Sequence, residues 1–451
     1  MSPNLIRELC RELSIQPSKA LGQNFLFDDD VAKEIVDELK PEEADLVIEI
    51  GPGLGTLTEH LIGRCRHLLL IEMDRKLAER FRKLYADHPS ITVIEGDAAK
   101  VDLRPYHAAG RVKAIGNLPY SAGGAIMRHF LDAPTPISEA VFMLQKEVCD
   151  RLRAVPSTKA YSILTLRIQH RWHVDFLRNV PPDVFYPAPQ VDSSVIHLTP
   201  RDPASLPVFD KDRFDQLIRL GFHQRRKQLK KSLPAETAER WGELAATIGV
   251  NPQARAEELS LEQWVELTRQ VEDRSHAHIG QRGEEIFDVV NERNEVIGQA
   301  TRREVHAQKL RHRAVHIFLL NRRGELFLQR RSHLKDSFPL AWDSSASGHL
   351  DSGETYEAAA ERELREELGL EVEVPLREVA NFDACEETGW EFIRLFACEY
   401  QGSLRLPPGE IDCGEYFTPE QMDAWVKTKP NQLAPGLVRC WKFVRNISSE
   451  E

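Results

Sequence analysis

Two stretches of the first half of this chain carry residue types suited to group transfer. Glu49-Ile50-Gly51-Pro52-Gly53-Leu54-Gly55 follows the apolar run Leu46-Val47-Ile48. Glycine has no Cβ, so a loop of this kind lets backbone approach a ligand closely at the end of a strand. Alone it fits a plain strand-to-helix turn or a dinucleotide fold equally well. Glu72 closes the next apolar run, His67 to Ile71, where it is placed to accept from two ribose hydroxyls. Asp97 lies just after a third run, Ile91 to Ile94, placed to accept from an adenine amino group. Downstream, Asn117-Leu118-Pro119-Tyr120 sets a polar amide before a proline that fixes the backbone and has no N–H. That suits a target whose amino group must be held by acceptors. The third glycine of the pyrophosphate-binding spacing is absent, which disfavours NAD and favours a non-phosphorylated nucleoside such as S-adenosylmethionine.

The second half offers different chemistry. Residues 348–370 read Gly-His-Leu-Asp-Ser-Gly-Glu-Thr-Tyr-Glu-Ala-Ala-Ala-Glu-Arg-Glu-Leu-Arg-Glu-Glu-Leu-Gly-Leu. On a helix, Glu363, Glu366 and Glu367 are neighbours on one face. Three crowded carboxylates repel unless hard cations sit between them, so magnesium or manganese is implied. Arg362 can pair with Glu354, and Gly369 ends the helix. Glu410, in the turn Gly409-Glu410-Ile411-Asp412, is a further ligand or base, with a surface acid as the bland alternative.

The elements that position these groups follow from apolar patterning. Between Asp45 and Ile196 short apolar runs alternate with helical periodicity, the pattern of a parallel α/β sheet, with a fourth strand from Val112 to Ile115. From 201 to 272 there is helical periodicity and no convincing strand, as expected of a small helical subdomain. Residues 273–283 are polar and aperiodic, a linker. Strands are expected at Ile286 to Val290, Ala314 to Leu320 and Leu326 to Gln329, then a helix from about Glu354 to Leu368. The expected domains are therefore 1–200, 201–272 and 284–451, and at 451 residues more than one core is required.

Net charge is −12, which at first disfavours a nucleic-acid partner. It is unevenly spread: up to residue 280 there are 37 basic and 40 acidic residues, and after it 22 and 31. A basic patch on the near-neutral first part stays open. The seven cysteines are scattered without CxxC spacing, which argues for reduced thiols in a cytoplasm and against zinc or disulfides. No apolar run is long enough to span a membrane, and Arg7, Glu8, Arg11 and Glu12 stand where a signal peptide would be apolar.

Residues 18 to about 270 resemble the ribosomal small-subunit adenine dimethyltransferases. The match lies in Lys19-Ala20-Leu21-Gly22-Gln23-Asn24-Phe25-Leu26, the Glu49 to Gly55 loop, Asn117 to Tyr120, and Phe185-Tyr186-Pro187-Ala188-Pro189-Gln190-Val191-Asp192-Ser193. The resemblance implies a Rossmann-like S-adenosylmethionine fold, with cofactor contacts at Asn24, Leu26, Gly51, Glu72, Asp97 and Asn117. Its substrate would be small-subunit rRNA in a pre-30S particle. Asn117 and the backbone near Leu118-Pro119 would accept the two N–H bonds of the adenine amine and aim its lone pair at the sulfonium methyl. Tyr120 and Phe185 would stack on the extruded base. A core aromatic is the competing reading of Phe185. Arg225, Arg226, Lys227, Lys230 and Lys231, expected on one helix, would contact rRNA phosphates, or else form a solvated face. Ser121-Ala122-Gly123-Gly124 is more glycine-rich than the family's usual run and loosens the loop beside the base.

The segment from 348 resembles the Nudix box at every fixed position, which implies an α/β/α fold that cleaves a nucleoside diphosphate derivative with metal-activated water. Glu363, Glu366 and Glu367 would be the ligands and Glu367 catalytic. Glu285 to Gly298 and Leu310 to Arg331 also resemble the isopentenyl diphosphate isomerases, which place metal-binding histidines where His306, His312 and His349 fall. Ser347 replaces that family's cysteine, which favours the hydrolase. The reading is a fusion of a methyltransferase with a Nudix hydrolase. A non-catalytic assembly factor is the runner-up; methylation of large-subunit rRNA is disfavoured by the helical segment after 201.

Overall fold

The structure is a computed structural model that describes residues 3–13, 15–18, 22–119, 122–271, 284–370 and 374–448. Tyr120, Lys19 to Leu21 and the expected linker lie outside the described residues. The chain divides into two compact units, Met1–Pro207 with Asp212–Val271, and Val208–Lys211 with Glu272–Glu451.

The first unit is built on a seven-stranded sheet. Its order is Ile91–Glu95, His67–Glu72, Leu46–Ile50, Val112–Asn117, Ile137–Gln145, Ser193–Pro200 and Trp172–Val180. The first five strands are parallel and the last two antiparallel. Leu46–Ile50 is buried throughout, as a strand covered on both faces must be. Alternate residues feed two cores: Ile48, Ile50 and Ala114 meet Ile126, Met127 and Phe130, whereas Val47, Leu70 and Ile115 join the cluster of Ile35, Val36 and Phe81. The helix Asp29–Leu39 starts where Asp28 accepts from the N–H of Val31 at 3.0 Å, and Arg75–Leu84 where Asp74 accepts from Lys76 and Leu77.

Leu46–Ile50 has His67–Glu72 on one side and Val112–Asn117 on the other, so the strand order reverses there. Such a switch point opens a crevice at the carboxyl ends of the strands. Gly51, Glu72 and Asn117 stand at those ends. Beyond Pro200 the described residues of this unit hold no strand. Helices Lys211–His223, Trp241–Thr247 and Leu261–Val271 pack around the fully buried Trp241 and Trp264.

The second unit has its own seven-stranded sheet. Its main path is Trp342–Asp343, Leu326–Arg331, His312–Leu320, Glu391–Glu399 and Arg377–Phe382. Ala346–His349 pairs with His312–Leu320, and Ile411–Phe417 with Leu326–Arg331. The helix Tyr356–Leu368 covers one face, packing Ala359, Ala360, Leu364 and Leu368 against Val315, Ile317 and Leu319. The opposite face of the same strand puts Phe318 against Trp441 of the last helix, Pro435–Ser448. The result is an α/β/α layering. No helix among the described residues is long and apolar enough to cross a membrane.

Candidate functional site

At the switch point a pocket is lined by Asn24, Leu26, Glu49, Gly51, Gly53, Glu72, Asp97, Asn117 and Pro119, among others. Gly51 and Gly53 hold φ of +64° and +59°, a region costly for any residue with a Cβ. A Cβ on Gly53 would also lie 3.0 Å from the ring of Phe25. The loop can therefore turn back over the strand end, and its Gly53 N–H donates to Glu72 Oε2 at 3.1 Å. Glu72 Oε1 accepts from the Asp74 N–H at 2.8 Å. Burial pushes the Glu72 carboxyl up to about 7, against the pull of these donors. Asp97 Oδ1 accepts from the Ala99 N–H at 3.0 Å.

Asn117 Nδ2 donates to the Asn24 carbonyl at 3.0 Å. A carbonyl only accepts, so this contact fixes which end of the amide is nitrogen and leaves Oδ1 as an acceptor. The Pro119 carbonyl accepts from the N–H groups of Ala122 and Gly123 at 3.1 and 2.8 Å, which opens the helix Gly123–Leu131. Leu26 is buried, and its carbonyl accepts from Thr56 Oγ1 at 2.6 Å.

Phe185 is not an open stacking face. It is 3% exposed, pairs with Leu26 across a two-stranded sheet, and packs with Val31, Leu57 and Met143. Its ring is spent on the core. The basic stretch also departs from expectation. The helix ends at His223, and Lys230 and Lys231 sit on a separate short turn, Leu229–Lys231. Arg225 is held inward by Glu257 at 2.5 Å and the Thr158 carbonyl at 2.9 Å, because an acid from elsewhere in the unit meets it. Arg226, Lys227, Lys230 and Lys231 are exposed.

Glu49 was legible only as part of the loop, and its state was not. It is 1% exposed and accepts from Thr58 Oγ1 at 2.8 Å, while Oε1 has no hydrogen-bond partner. Burial pushes it up to about 8, with the nearby Glu72 charge adding and the Thr58 bond opposing. An acid whose pKa is raised in the fold stabilises it below the unfolded value and loses that contribution as pH rises through the folded one. Thermal stability should therefore fall from about pH 5 to about pH 9, and Glu49→Gln should flatten that slope. An unchanged slope in the variant would assign the titration elsewhere.

In the second unit, a cleft gathers the box helix, the strand Ala346–His349 and the turn at Glu410. Arg362 makes the expected pair with Glu354, at 3.0 and 2.9 Å, and also reaches the His349 carbonyl at 2.9 Å and Glu363 at 2.7 Å. Gly369, at φ +66°, caps the helix. Glu363 rests on Gly348: a Cβ there would lie 1.8 Å from Glu363 Oε1, so the first glycine of the box makes room for that carboxylate. Glu367 Oε2 accepts from Gln329 Nε2 at 2.7 Å and the Ser347 N–H at 3.0 Å, and its Oε1 faces Lys335 at 3.5 Å. Burial raises the carboxyls of both Glu363 and Glu367. Glu366 is the outer member, its side chain 57% exposed. The buried, orphaned Gln329 Oε1 beside Glu367 adds an oxygen donor without a partner, and an all-oxygen set fits a hard divalent cation.

The three glutamates do not converge as one set; Lys335 and Arg362 stand among them. Among the described residues, the group whose ligand atoms lie within 4.8 Å of one another is His306, His312 and His349. His312 Nδ1 donates to the Leu310 carbonyl at 2.9 Å, and its Nε2 is buried without a hydrogen-bond partner. Burial pulls His349 down to about 3, so its ring is neutral. Glu391 joins them, with Oε1 3.0 Å from His349 Nε2 and 3.7 Å from His312 Nε2. It lies 42 residues beyond His349, and no local spacing pointed to it.

Residues 16–273 match the family described as ribosomal RNA adenine dimethylase, and residues 310–437 match the NUDIX domain. The Ribosomal RNA small subunit methyltransferase A of Leptothrix cholodnii is 39% identical over 260 residues, which is 57% of this chain and 92% of that protein. The protein of the same name from Chlorobaculum parvum is 39% identical over 272 residues, 58% of this chain and 92% of that one. A crystal structure of DR0079 from Deinococcus radiodurans is 36% identical, covering 34% of this chain and 98% of its own, with a TM-score of 0.31. The chain belongs to the ribosomal RNA adenine dimethylase family and carries, after that domain, a NUDIX domain.

Proposed function

We propose that the first unit dimethylates adenine N6 in 16S rRNA of the assembling small subunit with S-adenosylmethionine, in the cytoplasm. The observation that carries this is the Asn117 amide, pinned through its nitrogen so that an acceptor remains at the cofactor pocket. Asn24, Leu26, Gly51, Glu72, Asp97 and Asn117 would hold the cofactor, which supplies an electrophilic methyl group when bound. An exocyclic adenine amine is a weak nucleophile because its lone pair is delocalised into the ring. Asn117 Oδ1 takes one of its N–H bonds. The Pro119 carbonyl is committed to the following helix, so the Leu118 carbonyl takes the other. Two acceptors placed this way favour a pyramidal nitrogen without a strong base. Primer extension across small-subunit rRNA tests the reading, because dimethylated adenines block extension. Read-through in cells lacking this protein, and arrest when it is restored, is the expected result. Arrest in both would reject the assignment and favour the assembly-factor reading.

The exposed Arg226, Lys227, Lys230 and Lys231 are the rRNA contacts in this reading, and Arg225 is structural. Replacing the four by alanine should flatten the salt dependence of binding to a 16S rRNA fragment by about one unit of slope for each phosphate that is no longer neutralised. Arg225→Ala should lower thermal stability and leave that slope alone. Equal slopes in wild type and the fourfold variant would return those side chains to a solvated face.

The second unit hydrolyses a nucleoside diphosphate derivative with magnesium or manganese held by Glu363 and Glu367, with Glu366 at the rim. A metal there supplies Lewis acidity to a phosphoryl oxygen and lowers the pKa of water. Arg362 fixes the helix to the strand that carries His349, so the carboxylates and the histidine cluster keep a set distance. Three histidine nitrogens and Glu391 form a second donor set, softer than the all-oxygen one.

A further inference from the structure

Lys335 is a buried cation of this cleft that faces two acids at once. Its side chain is 7% exposed, and its Nζ pairs with Glu410 and faces Glu367 Oε1 at 3.5 Å. The segment bearing it is tied at both ends of its approach. The Ser332 N–H donates to the Glu410 carbonyl at 2.8 Å, and Arg331 holds Asp343 at 2.8 Å and the Ser337 carbonyl at 3.0 Å. The backbone is thus fixed, while the four-carbon stem of lysine can swing. Arg362 differs: its fork is engaged by Glu354, Glu363 and a backbone carbonyl at once, and it cannot leave without undoing the helix anchor.

We infer that Lys335 is a tethered cation that stands between Glu367 and Glu410 in the place of a divalent ion, and that a metal entering there turns the ammonium into the cleft toward the substrate's diphosphate. This rests on the carboxylate metal site proposed above. Both arrangements keep one positive partner on the two carboxylates, because bringing them together without a cation is what the buried site disfavours. The displaced ammonium is a compact point charge, suited to phosphate oxygens. Glu410 becomes a metal-side residue and Lys335 a positioning residue with two stations. Its ordinary structural role would be a fixed ion pair with one station.

Manganese binding to the full-length chain separates these. Lys335→Met keeps most of the stem and removes the competing charge, so manganese affinity, read from the electron paramagnetic resonance of the free ion, should rise on the order of tenfold or more. The gain should vanish when Glu367→Gln is added, which sets aside manganese held by the histidines. Lys335→Arg should not show the gain. Equal or weaker affinity in Lys335→Met overturns the inference. The wild type gives a test that needs no variant: acetic anhydride labelling of Lys335, read by peptide mass spectrometry, should increase when manganese saturates the site. Labelling that manganese leaves unchanged also overturns it. If instead Glu363→Gln with Glu367→Gln leaves wild-type manganese binding intact, the carboxylate site itself is refuted, a distinct outcome.

Discussion

Asn117→Ala is expected to lower methyl transfer to 16S rRNA by about 10²–10³-fold, the loss typical when one preorganised polar partner of a transition state is removed. S-adenosylmethionine binding should weaken by about tenfold at most, the worth of one hydrogen bond, because the variant also frees the Asn24 carbonyl from its 3.0 Å donor. Single-turnover transfer at saturating cofactor, set beside calorimetric cofactor affinity, separates the two effects. A variant that transfers methyl groups at near wild-type rate would show that the amine is held by something else. Asn117→Asp distinguishes geometry from polarity. Its carboxylate would set an acceptor against the Asn24 carbonyl, so cofactor affinity should fall further than in the alanine variant although an oxygen still faces the pocket.

Why the site around Asn117 could be read from the sequence, and other parts could not, comes down to which interactions are local. The strands Leu46–Ile50, His67–Glu72 and Val112–Asn117 are mainly apolar and almost wholly buried, and a parallel sheet brings their carboxyl ends together whatever the side chains elsewhere. Gly51, Glu72 and Asn117 needed only that. Arg362 and Glu354 are likewise set by one helix and its preceding turn. Arg225 is the opposite case. The residues after it, Arg226 and Lys227, are cations, and the acid that claims it is Glu257, 32 residues away. Phe185 lies before a proline-rich turn, which suited an exposed ring, yet its strand pairs with Phe25–Leu26 and carries it inward. In the second unit the strand Glu391–Glu399, between His312–Leu320 and Arg377–Phe382, mixes Glu391, Arg394 and Glu399 with its apolar residues, so its pattern is weak. Missing that strand meant missing Glu391, the carboxylate among the histidines. Lys335 was equally hidden, since its partners Glu367 and Glu410 are 32 and 75 residues on.

Glu367→Gln should reduce diphosphate hydrolysis by roughly two orders of magnitude or more while the chain still folds. Folding survives because the helix Tyr356–Leu368 keeps its Thr355 cap, its Gly369 end and the apolar face of Ala359, Ala360, Leu364 and Leu368. The donors around position 367 fix how the new amide sits. Gln329 Nε2 and the Ser347 N–H both point at one oxygen, so the glutamine oxygen stays there and its NH₂ turns to Lys335. A donor then faces a donor, and neither a metal nor the ammonium finds its anionic partner. Activity in the wild type should require magnesium or manganese and vanish on chelation, measured as phosphate release from a panel of nucleoside triphosphates, dinucleoside polyphosphates and nucleotide sugars. Glu366→Gln, at the exposed rim, should cost less than Glu367→Gln; the reverse order would move the reacting centre outward along the helix. Isopentenyl diphosphate belongs in the same panel, because the histidine cluster with Glu391 could serve other chemistry on a diphosphate. Its conversion to an isomer, with no phosphate bond broken in any other member of the panel, would reassign the cleft from the carboxylates of the box to the histidines beside it.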